Sequence, residues 1–338
     1  LNAWIKWIEG AGSWSPLIFV GVFLAASLLT IWRLESMSSG GLEGTVLGTL
    51  VTPYMTGMGN LIFAYVMART RVEGAATEVM KSCLVNNVTN MTLVLGAPAI
   101  IWNMNLLPAR KESAKKSAKS KKPSRAPEIN RLSLLLTLLA VLFFTGITWF
   151  LGADGRIDFT DGVVLVGIFL FWQCFHVFEV LKSNAQQNKH FSWMLPFDLA
   201  LFGIGAYFVY ASTDWLTGWV SAKHTGFISF DNIGWLAGWL NVLPNAILAV
   251  YYAWTRRPEI VYTSQVGDSH ICIPLCVGLF ALFQTIVVPH FFALGVIVLL
   301  AATIVHLIFI GALGRLPRYM GVVLTAAYAY FVWRGLLD

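Results

Sequence analysis

The chain has 338 residues, 57% of them hydrophobic and 12% charged, with a mean hydropathy of +0.69 and a formal net charge of +6. Soluble domains carry about 25% charged residues, so this sequence lacks the polar surface to cover itself in water, and a soluble enzyme or binding module is excluded. Apolar runs long enough to cross a bilayer recur from end to end, without the alternation of a membrane β-barrel, so the fold class is all-α and polytopic.

In chain order, residues 1–13 read as a short amphipathic lead-in rather than a signal peptide. About ten hydrophobic segments follow, at 16–33, 43–68, 77–103, 132–152, 160–181, 194–212, 229–254, 267–287, 290–311 and 316–335. The second, third and seventh are long and contain Gly, Pro or Asn, which predicts kinks or tilt. Cys83, Cys174, Cys272 and Cys276 all lie in apolar segments, so no disulfide is expected. Cys272 and Cys276 share a helix face, but no second Cys/His pair is spaced to complete a zinc site.

Between the third and fourth segments runs ARKESAKKSAKSKKPSRAPEINR, residues 109–131, which holds nine of the 23 Lys and Arg residues. Its plain reading is a flexible, solvated loop; the sharper one is attraction to anionic lipid headgroups or an acidic partner. Nucleic acid is not expected as a partner, since there are no interleaved aromatics and no folded binding module. The positive-inside rule puts this loop in the cytoplasm and both termini outside, with Arg69 and Arg71 on the unfavourable side.

Two stretches look like divergent copies of one helix-break-helix unit. The first runs Thr56-Gly57-Met58-Gly59-Asn60-Leu61 and, after a helix and a turn, Val85-Asn86-Asn87-Val88-Thr89-Asn90. The second runs Asn241-Val242-Leu243-Pro244-Asn245-Ala246 and then Gly267-Asp268-Ser269-His270-Ile271-Cys272. They start five spans apart, and an odd number reverses orientation. Two inverted five-helix repeats follow, 1–190 and 191–338, with a site where they face each other. Polar groups are costly in hydrocarbon and face a cavity or a partner helix. The candidate ligands are Thr56, Asn60, Asn86, Asn87 and Asn90 from the first unit, with Thr52 and Thr89 near them, and Asn241, Asn245, Asp268 and Ser269 from the second. Gly57, Gly59 and Pro244 are expected to open their helices and free carbonyl oxygens. Such an oxygen-rich set suits a hard cation, Na⁺ or Ca²⁺, with Asp268 as the charged metal ligand.

The retained residues Leu243-Pro244 and Gly267 in the second unit, and Asn87, Asn90 and Leu93-Val94-Leu95-Gly96 in the first, resemble the sodium/calcium exchanger and cation/proton exchanger superfamily. Its repeats carry a T-S-L-P-E-L type motif and a G-S-N-x-x-N-x-x-L-V-L-G type motif. The resemblance covers about 40 residues in each half. It implies cation antiport by alternating access, without a bound cofactor. It also implies that the cation-binding glutamates of the family correspond to Asn60 and Asn245 here. The serine of the second motif becomes Asn86 and Asp268, and its last Asn/Asp becomes Asn90 and Cys272.

That substitution pattern leaves one carboxylate among the matched positions. A tight Ca²⁺ site needs more negative charge than one aspartate supplies. The function expected is therefore a secondary cation transporter with an altered ion site. The alternative is a pseudo-transporter, a non-transporting structural subunit with partners in a membrane complex. Asn60 and Asn245 could instead hydrogen-bond between helices, and Asp268 could pair with His270, Arg256 or Arg257. His176 and Glu179 read as either a proton relay or a packed pair, and His290 and His306 are not placed for haem. No nucleotide loop or nucleophile-base-acid set is present, so an enzyme is not expected.

Overall fold

The computed structural model describes residues 3–37, 54, 57–70, 72–102, 104–106, 126–184 and 193–337. Most of the basic loop, with Thr52 and Thr56, lies outside the described residues. The side chain of Glu179 does too.

The helices are α1 (Ala3–Glu9), α2 (Ser15–Met37), α3 (Met58–Thr70), α4 (Ala75–Thr89), α5 (Leu95–Ile101), α6 (Ala126–Leu151), α7 (Phe159–Asn184), α8 (Leu195–Ser221) and α9 (Ile233–Trp254), followed by α10 (Pro258–His270), α11 (Val277–Ala281), α12 (Phe292–Leu313) and α13 (Arg318–Leu337). Eight stretches among the described residues are long and apolar enough to cross a membrane. They coincide with eight of the expected segments, and the protein is an integral, multi-pass membrane protein. The expected segments 43–68 and 267–287 are not among them. Within the first, α3 is short. Within the second, the helical stretch runs from Pro258 to Ala281 and carries Gln265, Asp268 and Ser269 buried on its inner side, which lowers its hydropathy.

Contacts between the helices come in pairs that exchange when the halves are exchanged. Helix α5 packs on α13 as α11 packs on α7, while α2 pairs with α8 and α6 with α12. The connections obey the same rule. A two-stranded antiparallel ribbon joins β1 (Arg156–Ile157) to β2 (Ile286–Val287), with Val288 N–H donating to the Gly155 carbonyl at 3.0 Å. A bridge of the same kind joins Asn105 to Arg315, flanked by Leu106 N–H on the Gly314 carbonyl at 2.9 Å. Each clasp satisfies backbone groups where a helix has just ended.

Most buried apolar side chains form one cluster over α3 to α7 and α9 to α13, including Trp235, Tyr262, Phe169 and Phe331. Helices α2 and α8 stand apart. Most of their buried apolar residues gather in three small clusters, around Phe19 and Leu216, Phe23 and Val209, and Leu34 and Met37, while Val220 of α8 joins the main one. A buried ion pair joins α2 to α8: Arg33 Nη1 lies 3.0 Å from Asp198 Oδ1. Removing one partner of a buried pair strands the other charge, at a cost of about 3–5 kcal/mol, whereas replacing both with apolar residues is close to neutral. Asp198→Ala is thus expected to lower the thermal unfolding midpoint of the purified protein sharply. The double variant Arg33→Met/Asp198→Leu should recover most of that loss.

Candidate functional site

Four helices meet at the polar centre, and three of them present an i,i+4 pair on one face. Helix α4 and its end contribute Asn86 and Asn90; α9 contributes Asn241 and Asn245; α10 and its end contribute Asp268 and Cys272. Helix α3 adds Asn60. Two glycines on α9 allow the close packing that brings the pairs together. A Cβ at Gly238 would sit 2.8 Å from the Val85 side chain, and one at Gly234 would sit 2.5 Å from the Glu78 carbonyl. Glu78 also uses that approach, accepting the Gly234 N–H at 2.8 Å and the Lys81 ammonium at 2.6 Å, and so caps the start of α9.

Asp268 is the hub. Its Oδ2 accepts from Asn90 Nδ2 at 2.8 Å, Asn86 Nδ2 at 3.0 Å and Asn245 Nδ2 at 3.3 Å. An ionised carboxylate only accepts, so each amide must turn its NH₂ inward. These charge-assisted bonds, drawn from both repeat units, hold a negative charge on a buried side chain. The consequence falls on the other ends of the same groups. Asp268 Oδ1, Asn86 Oδ1 and Asn90 Oδ1 are buried acceptors without a donor among the described residues.

Asn60 and Asn241 form a second polar pair, Asn241 Nδ2 donating to Asn60 Oδ1 at 3.0 Å. Gly59 makes room for it, since a Cβ there would sit 2.9 Å from Asn241 Oδ1. A small cavity of about 30 Å³ joins the two groups, lined by Asn60, Asn241, Asn245 and Asp268 together with Ser27 and Thr30 of α2. That is room for about one water or one small ion.

Asn87 and Ser269 do a different job. Asn87 Nδ2 donates to the Ser269 carbonyl at 2.7 Å, and Ser269 Oγ donates to the Gln265 carbonyl at 3.0 Å. They tie α4 to α10. Among the described residues Asp268 pairs neither with His270, whose ring stacks on Phe169 at 6.3 Å, nor with an arginine. His176 packs edge-on against Trp172 at 4.7 Å, and His306 Nε2 meets the Met91 carbonyl at 2.9 Å, so neither faces the polar centre as a ligand.

The helix breaks fall where the sequence reading did not put them. Pro244 lies inside an unbroken α9. Instead, each unit widens to i→i+5 hydrogen bonding from the end of its polar motif, at Asn90–Val94 and at Ile271–Cys276, and Ile273 leaves helical geometry altogether (φ −126°, ψ 113°). Such wide turns cluster at functional sites, because they re-aim neighbouring side chains and free backbone groups. Pro274 was the available signal, and it is the one proline of the second motif region that the reading passed over.

Other contributors were also missed. Gln265 sits one turn before Asp268, donates to the Asn245 carbonyl at 3.3 Å and leaves its Oε1 without a donor. Its spacing from Asp268, i and i+3, could have revealed it. Ser27 and Thr30 repeat the same spacing within an apolar run. Cys83 joins Cys272 and Cys276 in a buried group of free thiols beside Asp268, with Asn86 Nδ2 donating to Cys272 Sγ at 3.1 Å. No three His, Cys, Asp or Glu side chains among the described residues converge as a metal cage.

The family model for sodium/calcium exchanger proteins matches residues 14–178 and 197–336. Among solved structures, the sodium-calcium exchanger NCX_Mj soaked with 2.5 mM Na⁺ and 1 mM Sr²⁺ is 18% identical, with a TM-score of 0.63 over 94% of this chain and 96% of that one. The same exchanger soaked without Na⁺ and Ca²⁺ is 18% identical, with a TM-score of 0.58 over 93% and 99%. This likeness is one of fold. No curated protein matches the chain at a significant level.

Proposed function

The chain belongs to the sodium/calcium exchanger protein family, and from that premise we propose that it is a secondary transporter whose altered site takes a single monovalent cation, Na⁺ in the first instance. Its two halves, 1–190 and 191–338, are the inverted units between which the ion would sit. The observation that carries the reading is the one-sided use of Asp268. Three amides from both units occupy one carboxylate oxygen, and Asp268 Oδ1, Asn86 Oδ1 and Asn90 Oδ1 are left without a donor.

Charge decides which ion fits. One Na⁺ beside one carboxylate is neutral overall. A Ca²⁺ beside it leaves an uncompensated positive charge in a low-dielectric interior, which costs several kcal/mol even after relaxation. Oxygen ligands suit both ions, so selectivity here follows from charge count. Ser27 and Thr30 line the same small cavity as Asp268 and offer hydroxyls to complete the shell.

A second reading rests on the Asn60–Asn241 pair, in which Asn241 donates to Asn60 at the position the resemblance matches to a family glutamate. In that reading the chain is a non-transporting, exchanger-like subunit of a membrane complex, and Asp268 with its amides is a structural knot. Purified protein in sealed liposomes separates the two. Gradient-driven uptake of radiolabelled Na⁺, with little Ca²⁺ uptake, supports the transporter. Absence of Na⁺ movement in either direction, together with stoichiometric copurification with other membrane proteins, supports the subunit.

A further inference from the structure

A cavity of about 730 Å³ opens on the seam between α2 and α9, far larger than the one beside Asp268. One end is apolar, walled by Leu28, Leu29, Ile31 and Leu248; the other carries Glu35, Tyr252, Thr255 and Arg257. That division matches an amphiphile, and the volume lies within the range of about 300–1,000 Å³ typical of ligand pockets. The polar end sits where α2 and α9 both terminate, beside exposed Trp32 and Trp254. Tryptophans in that position mark the headgroup level of a bilayer.

The two charges of the pocket have unmatched partners. Glu35 Oε2 accepts the Tyr252 hydroxyl at 2.6 Å and takes no cation within 4 Å among the described residues. Arg257 lies close enough to Tyr252 to act on it electrostatically, yet no carboxylate stands within 4 Å of it among the described residues. A carboxylate and a guanidinium that line one pocket without pairing to each other are the complement of a zwitterion with a hydrogen-bonding cation.

We infer that this cavity is a binding site for an aminophospholipid. The lipid phosphate lies on Arg257 with support from Thr255, the primary ammonium donates to Glu35, and one acyl chain runs along Leu28, Leu29 and Leu248. Guanidinium is well suited to phosphate, which it can grip with two parallel hydrogen bonds. Carboxylate distinguishes a primary ammonium, which donates hydrogen bonds, from a quaternary one, which cannot. The occupant is therefore ethanolamine-type lipid in preference to choline-type lipid, and in preference to an anionic glycerol headgroup that Glu35 repels.

The test uses the full chain purified in mild detergent and exchanged into nanodiscs of defined composition, with bound lipid counted by native mass spectrometry. The expected result is retention of phosphatidylethanolamine over phosphatidylcholine by about tenfold, a difference of about 1.4 kcal/mol. Glu35→Gln should reduce that preference to near unity while leaving total phospholipid retention intact. Arg257→Gln should lower retention of both lipids together. Equal retention of both lipids by the native chain, or a preference unmoved by Glu35→Gln, overturns the inference. So does stronger retention of phosphatidylglycerol, which would mark an anionic-lipid site on Arg257 alone. Tyr252→Phe keeps the packing and frees Glu35, so it should strengthen ethanolamine-lipid retention; a loss there counts against the inference.

Discussion

Asp268→Asn is expected to abolish sodium uptake by reconstituted protein, lowering the rate by about a hundredfold or more, while the purified variant stays folded. The side chain keeps its size, and four amides can satisfy one another where three amides and a carboxylate stood. The negative charge is what disappears. In a site buried to this degree, the loss of one charge from the neighbourhood of a cation costs several kcal/mol, and each 1.4 kcal/mol is a factor of ten in binding. A transporter therefore loses its ion while its fold survives. Asp268→Leu makes the contrast, because it leaves the NH₂ groups of Asn86, Asn90 and Asn245 without their shared acceptor and should destabilise the protein by about 1–3 kcal/mol for each buried donor left unpaired. A native rate for Asp268→Asn in liposomes would remove the carboxylate from the ion pathway.

The second large effect runs in the opposite direction. Asn60→Glu with Asn245→Glu would place carboxylates at both positions that the resemblance matches to the family's glutamates. With Asp268 the cavity would then hold up to three negative charges within one small polar space. Without a cation they repel, and the double variant should be less stable than the native chain in divalent-free buffer. With Ca²⁺ the repulsion becomes attraction. A ligand at a hundred times its dissociation constant stabilises a fold by about 2.7 kcal/mol, so the double variant should gain several degrees of thermal midpoint on adding millimolar Ca²⁺, where the native chain gains little. No Ca²⁺ response in a folded double variant would show that the remaining ligands, or the Gly59-dependent approach of α3 to Asn241, no longer fit a divalent ion.

Much of this arrangement was legible in the residues. Apolar runs gave the membrane class and eight segments that correspond to helices. The paired motifs pointed to a shared polar centre, and in the structure Asn86, Asn90 and Asn245 hydrogen-bond Asp268 while Asn241 hydrogen-bonds Asn60. What could not be read was the division of labour. Whether an amide presents oxygen or nitrogen depends on its neighbour across helices, and the sequence holds no such register. Asp268 forces three amides to turn, and Asn60 meets Asn241 instead. The helix breaks escaped for a related reason. Proline is tolerated in a continuous helix when the freed carbonyl finds other partners, as Pro244 in α9 shows, so its presence alone does not mark a break. The start of α10 was missed because hydropathy searches for apolar residues, and a helix that lines a polar centre shows few.

The two backbone clasps have a consequence for how the molecule loosens. Ribbon β1–β2 on one rim and the Asn105–Arg315 bridge on the other tie together helices that also share a single apolar cluster. Helices α2 and α8 bury most of their apolar residues in small patches, with Val220 of α8 reaching the main cluster. Opening free energy tracks such differences in buried contact. Slow exchange of amide hydrogens should therefore persist longest in α4, α6 and α12, and the α2–α8 pair should surrender its protons first, as a separate cooperative unit peeling from a body that remains shut.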